Sequence, residues 1–303
     1  MVRNMTKKME LNEYVRQISE HVTLIGNYYF SSYLVRGSRF SAVVEMGVTA
    51  TVDLLISQLN HLEVEPDYLI VAHPHADHIT GISGLMERFP KSTVVTGFGT
   101  RKFIEHPKAL KAMIAEDRFI SNSLHKIGFE IGRPSISNTP NLSEALEVKD
   151  AYRINLGELE MECFPVYGHA PGNIAINVEK DRVILVSDSL GFHFPSRCFC
   201  PLFFTGFKEY IQTLSQFYIL DPLIIGLGHQ GPIIREYASD VFARASQTAE
   251  DIATFIINYT KSSERLVDEL FKRYYVDEFT IYTPENIKNC MKLLVKRAKE
   301  GCQ

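Results

Sequence analysis

A chain of 303 residues, 45% hydrophobic and 22% charged, has the composition of a soluble globular protein and can bury one large core or two modest ones. Its formal net charge of −4 gives no basic footprint for nucleic acid, and no stretch approaches the roughly 18 apolar residues of a membrane span. The N-terminus has no apolar segment of a signal peptide, and the five scattered cysteines (Cys163, Cys198, Cys200, Cys290, Cys302) form neither a disulfide framework nor a CxxC site, so they read as small thiols in a reducing cytoplasm.

Taken in chain order, segments 22–29, 32–36 and 41–46 are rich in β-branched and aromatic residues and read as strands. Apolar spacing predicts a helix over 51–59, then a strand at 67–72, a helix at 81–89 and a strand at 93–96. From 100 to 127 the pattern is helical, and a polar Ser/Asn/Pro stretch follows at 133–143. The region from about 100 to 150 reads as a helical insertion over the core. Strands resume at 152–156, 159–166, 173–178 and 182–186, followed by an amphipathic helix at 208–220 and a buried strand at 222–227. Beyond Gly231 the spacing is helical over 241–259 and 266–275. Thr283-Pro284 then reads as an N-cap and first helical position opening a third helix toward Lys299. This divides the chain into a strand-bearing domain, 1–235, and a C-terminal helical extension, 236–303, packed on it.

The stretch AHPHADHITG, 72–81, places three of the ten histidines directly after a strand. Imidazole nitrogens and carboxylate oxygens are ligands for zinc and similar divalent metals. His73 and His75 are two apart and share one side of an extended backbone, whereas Asp77 and His78 suit a neighbouring centre. The spacing therefore points to two metals. Three more such residues stand where apolar strands end: His169 in VYGHAPGN, Asp188 in ILVSDSLG and His229 in IIGLGHQGPI.

This set resembles the metallo-β-lactamase superfamily, whose H-x-H-x-D-H motif is followed by a His, an Asp and a His, each at a strand end. The resemblance covers about residues 20–235. It implies an α/β fold, the αββα sandwich, with the site at one edge of two facing sheets. It implies that His73, His75 and His169 hold one metal, that Asp77, His78 and His229 hold a second, and that Asp188 bridges them. The two divalent ions would be Zn²⁺ by default, and the same donors accept Fe²⁺ or Mn²⁺. Two such ions about 3.5–4 Å apart can share a hydroxide that is nucleophilic at neutral pH. The chemistry expected is hydrolysis by metal-bound hydroxide, with Asp77 as the catalytic residue that orients it. Two departures touch the surroundings of the donors: Ala72 stands where family hydrolases often have Thr or Ser, and the last motif is Gly-His-Gln-Gly rather than Gly-His-Gly.

No dedicated general acid is visible in the sequence. A thiolate leaves without one, since thiols ionise near pH 8.5, so thioesters and esters are favoured over amides. After Asp188 comes LGFHFPSRCFCPLFFTGF, whose Phe192, His193 and Phe194 are the candidate substrate contacts, against plain packing of the loop. The motif order followed by three tail helices is most similar to the PqsE-type group of 2-aminobenzoylacetyl-CoA thioesterases. That resemblance implies a thioesterase cleaving an acyl-CoA-type thioester with an aromatic or β-keto acyl group, its entrance capped by the tail and the 100–128 helices. Arg101, Lys102, Lys108, Lys111 and Arg118 would then meet CoA phosphates, or else simply form a solvated helix face. Two alternatives stand: a lactonase of the acyl-homoserine-lactone type, and a catalytically weak signal- or partner-binding protein that retains the metal site. The expected partner is a small-molecule thioester or lactone, with no nucleic acid and no membrane, and the tail is compatible with a homodimer.

Overall fold

The structure is a computed structural model that describes residues 14–194, 199–234 and 238–301. Cys198 and Cys302 lie outside the described residues. A first sheet runs in chain order through β1 (Arg16–Gln17), β2 (Val22–Gly26), β3 (Ser31–Arg36), β4 (Ser41–Val44), β5 (Tyr68–Val71), β6 (Thr93–Gly97) and β7 (Leu146–Val148). Strands β1 to β4 pair antiparallel, and β4 to β7 pair parallel. Parallel neighbours need a crossover, supplied here by α1 (Val52–His61), by α2 (Ala76–Ile79) with α3 (Ile82–Arg88), and by α4 (Thr100–Ile104) with α5 (Pro107–Lys126).

The second sheet is built from β8 (Tyr152–Asn155), β9 (Glu160–Pro165), β10 (Ile174–Val178) and β11 (Val183–Leu185). A two-stranded ribbon, β12 (Phe192–His193) and β13 (Phe199–Cys200), intervenes before α6 (Phe207–Ile219). Strands β14 (Ile224–Gly226) and β15 (Ile233–Ile234) complete the sheet, in the order β15-β14-β11-β10-β9-β8. The tail forms α7 (Ala238–Ile257), α8 (Ser263–Tyr274) and α9 (Pro284–Gly301).

Side-chain alternation dictates how these layers stack. Val44, Ile70 and Val95 meet Ile174, Ile176, Val183 and Leu185 in one apolar cluster between the sheets. Their neighbours Val43, Leu69, Val71 and Val94 point the other way, onto α1 and α3. On the far side Ala175, Ile184 and Ile225 meet α6 and the tail helices. The order is helix, sheet, sheet, helix, the expected αββα sandwich.

The helical stretch expected over 100–127 is broken. Pro107 disfavours helical backbone at the residue before it, and His106 is extended (φ −70°, ψ 126°), its Nδ1 accepting from the Lys108 N–H at 3.2 Å. The polar stretch that follows folds back on α5. There the buried Asp117 accepts from the N–H of Thr49 (3.0 Å), the hydroxyl of Thr80 (2.6 Å) and the N–H of Ile136 (2.9 Å). Among the described residues no helix is long and apolar enough to cross a membrane.

Candidate metal centre

The histidine stretch leaves β5 extended and turns helical at once. His75 is in β conformation (φ −74°, ψ 151°), and Ala76–Ile79 is the single turn of α2. His73 and His75 therefore leave the backbone before the turn, and Asp77 and His78 leave from within it. His169 follows β9 in a tight glycine loop, Asp188 follows β11, and His229 follows β14. Gly228 is there because nothing larger fits: a Cβ would stand 2.6 Å from His78 Cε1 and 3.2 Å from Asp188 Oδ1.

The structure brings all seven residues together. His75 Nδ1 lies 3.1 Å from His73 Nε2 and 3.1 Å from His169 Nε2. Donors about 2.0–2.1 Å from a tetrahedral cation are themselves roughly 3.3 Å apart, so this spacing fits one ion shared among three nitrogens. Beside it, Asp77 Oδ2 faces His78 Nε2 at 3.2 Å and His229 Nε2 at 3.5 Å. Asp188 stands between the two groups. Its Oδ2 is 3.9 Å from His73 Nε2, 3.8 Å from His169 Nε2 and 3.5 Å from His78 Nε2, and its Oδ1 is 3.3 Å from His229 Nε2. His73, His75, His169 and Asp188 form one set able to hold a metal ion, and Asp77, His78 and His229 another.

The outward nitrogens fix which lone pairs face inward. His169 Nδ1 donates to the carbonyl of Leu202 (2.8 Å), and His229 Nδ1 to that of Tyr29 (2.6 Å). His78 Nδ1 donates to the buried carboxylate of Glu45 (2.8 Å). Carbonyl and carboxylate oxygens only accept, so in each neutral ring Nε2 is left as an acceptor turned toward the centre. His78 Nε2 is buried with no hydrogen bond at all, close to Asp77 and Asp188 but misaligned for one. Ser187 Oγ lies 3.2 Å from His73 Nδ1. Glu45 and Ser187 hold φ of 71° and 51°, a left-handed conformation costing about 1–2 kcal/mol in a residue with a side chain. Both strained residues reach rings of the centre.

Electrostatics separate the two groups. Burial, then the neighbouring His169, pushes His75 down to about 3. Burial, then His78, pushes His73 well below the usual histidine range. Those rings keep their lone pairs. For His78 burial works the same way, but the carboxylates of Asp77, Glu45 and Asp188 outweigh it and raise His78. Burial opposes ionisation of Asp188, yet His78 and His229 hold its carboxyl well below the usual range. Buried imidazoles beside buried carboxylates, with an orphaned ring nitrogen among them, are a donor set for divalent cations.

Over this cluster lies a cavity of about 220 Å³ bordered by His75, Asp77, Phe192, Phe204, Glu116 and Tyr282. Of the three residues singled out as substrate contacts, Phe192 lines it. Phe194 sits behind, buried against Phe192 and Phe279, and His193 packs its ring on Phe199, so neither borders the cavity. A more open cavity of about 580 Å³ adjoins the first, sharing Phe103 and Ala109, and is bordered by Lys102, His106 and Lys108. Arg101 turns instead to Glu147 (3.9 Å), and Lys111 and Arg118 border neither cavity.

Sequence reading passed over Glu45, Glu116 and Tyr282. Glu45 has the signature that found the others, a lone polar residue where an apolar strand ends. Tyr282 has no such signature, since only the packing of the tail brings its hydroxyl within 2.8 Å of Asp77 Oδ2.

The sequence profile of the metallo-β-lactamase superfamily matches residues 28–229. No curated protein matches in sequence. Among solved structures, an archaeal metallo-β-lactamase superfamily protein from Sulfolobus tokodaii superposes with a TM-score of 0.60 at 17% identity, covering 92% of this chain and 98% of its own. A metallo-β-lactamase family protein from Thermus thermophilus gives 0.58 at 19% identity, covering 88% and 90%. A chemotaxis sensor whose structure holds a peroxy diiron species gives 0.55 at 15% identity, covering 77% and 93%.

Proposed function

Because this chain belongs to the metallo-β-lactamase superfamily, we propose that it is a dinuclear metal-dependent hydrolase whose substrate is an acyl thioester of the coenzyme A type. His73, His75 and His169 would hold one ion, Asp77, His78 and His229 the other, with Asp188 between them. When bound, the two ions would polarise the scissile carbonyl and acidify water enough to make it a nucleophile at neutral pH. The sensor with a diiron species supports iron as well as zinc or manganese for such a donor set.

The observation that carries the substrate class is the pairing of cavities. A small apolar chamber over the donors suits an acyl group. The adjoining groove is lined mainly by apolar surface, and Lys102, His106 and Lys108 along it would meet the phosphates of a carrier too large for the chamber. The remaining residues fit a good leaving group. Asp77 borders the chamber and can orient water toward a carbonyl held there. The Tyr282 hydroxyl already donates its hydrogen bond to Asp77, and Glu116 accepts from the Thr283 hydroxyl and N–H. Neither is poised to protonate a departing amine, and a thiolate needs no such help. Phe192, Phe204 and Phe279 in the chamber wall favour an aromatic or β-keto acyl group, as in the PqsE-type group.

The test pairs metal analysis with a hydrolysis panel of aromatic and aliphatic acyl-CoAs, acyl-homoserine lactones and a phosphodiester, using Asp188→Asn as control. About two metals per chain, with CoA release that Asp188→Asn abolishes, is the expected result. Lactone opening alone would make the protein a lactonase. Two metals with no turnover would make it a binding protein, and failure to take up metal would remove the reading altogether.

A further inference from the structure

We propose that Tyr282 is a positioning residue of the metal centre, supplied by the C-terminal extension, whose hydroxyl holds the Asp77 carboxylate in the attitude the second ion requires. The inference rests on the reading of Asp77, His78 and His229 as metal donors. Tyr282 lies beyond the segment matched by the family profile, which ends at residue 229.

Asp77 needs such a partner. It stands in the one-turn helix α2, and a carboxylate rotates broadly about its last torsion. Among the described residues, Tyr282 is the one hydroxyl that meets it, at 2.8 Å from Oδ2. The same Oδ2 faces His78 Nε2 and His229 Nε2. A carboxylate oxygen carries two lone pairs, so one can take the phenol proton while the other is aimed between the two rings.

Tyr282 is itself fixed by contacts independent of Asp77. Its carbonyl accepts from the Tyr275 hydroxyl (3.1 Å) and its N–H donates to the carbonyl of Phe279 (3.2 Å). The next residue, Thr283, is tied to Glu116 through both its N–H and its hydroxyl. The Tyr282 ring stands edge-on to His229, with centroids 6.4 Å apart at 90°, and the residue is 7% exposed. A phenol anchored on both sides, buried, and donating to a donor oxygen is arranged as an outer-shell partner, the kind whose loss typically weakens metal binding 10–100-fold.

Calorimetric titration of the chelator-stripped full chain with Zn²⁺, against a competing chelator, tests this in wild type, Tyr282→Phe and Tyr275→Phe. Tyr282→Phe should weaken one of two zinc sites about 10–100-fold and leave the other within about threefold. Tyr275→Phe, which removes one anchor of Tyr282 but keeps the phenol on Asp77, should weaken that same site by less than Tyr282→Phe does and leave the other as in wild type. Unchanged affinities in Tyr282→Phe, or a parallel fall at both sites, would overturn the positioning role while the two-metal centre stood. No zinc uptake by wild type would remove the centre itself, and this inference with it.

Discussion

Glu45 shows how much of the centre depends on residues that no cavity exposes. Its carboxylate is buried, and Oε2 takes the Nδ1 proton of His78. The charge holds that ring in the tautomer whose Nε2 faces inward, and it makes the imidazole a stronger donor. Glu45→Gln keeps the size and an accepting oxygen but removes the charge. We expect zinc affinity and kcat/KM to fall about 10–100-fold with the far-ultraviolet circular dichroism unchanged; an activity at wild-type level would show that the charge has no part. At this scale the sequence was informative where a motif ordered the residues. His73, His75, Asp77 and His78 carry their relation in their spacing, and His169, Asp188 and His229 each close an apolar strand. A single acid such as Glu45 has the same placement but no companion to mark it. Tyr282 could not be found by spacing, because its neighbourhood is made by tertiary packing alone.

Among the elements, the turn between β10 and β11 is pinned at the end of the sandwich away from the centre. Asp181 accepts from the N–H of His21 (2.7 Å) and from the Ser19 hydroxyl, and its Oδ1 lies 2.7 Å from His21 Nδ1. Burial alone would raise this carboxyl, but Ser19 and His21 outweigh it and hold it below the usual aspartate range. A depressed carboxyl stabilises the fold above its unfolded value, about 3.9, and the contribution is lost as pH falls toward the folded value. Asp181→Asn should therefore cost about 1–2 kcal/mol at pH 7, with the gap to wild type closing below about pH 4. Urea unfolding at pH 7 and pH 3.5 reads this directly, and a gap independent of pH would contradict it. The long strands were legible because apolar side chains alternate between two buried faces. Strands β1, β7, β12, β13 and β15, of two or three residues each, carry no period in the sequence and exist through their pairing. The break before α5 was written in the sequence, at Pro107, inside a pattern otherwise helical.

On the scale of the molecule, the tail helices share one continuous apolar cluster with α6 and the outer face of the second sheet. Leu294 of α9 is fully buried in it. Leu294→Ala should cost about 2–5 kcal/mol, and sandwich and tail should melt together in one calorimetric transition. Two separated transitions would instead make 236–303 a unit that folds by itself. The architecture as a whole was readable through the family resemblance that the motif order carries. That the tail caps the entrance came with the same resemblance, but which of its side chains reach the centre did not, because helical periodicity gives a buried face without naming what covers it.

His75 and His169 present nitrogens 3.1 Å apart, yet one follows a strand of the first sheet and the other a strand of the second. Neither sheet owns a complete set: His73, His75, Asp77 and His78 come from the first, His169, Asp188 and His229 from the second. During refolding an ion held by these donors would therefore have no finished seat until the two halves have docked. It would enter as a rivet through an assembled joint, slowing the escape from the native state while leaving the search for that state to the chain alone.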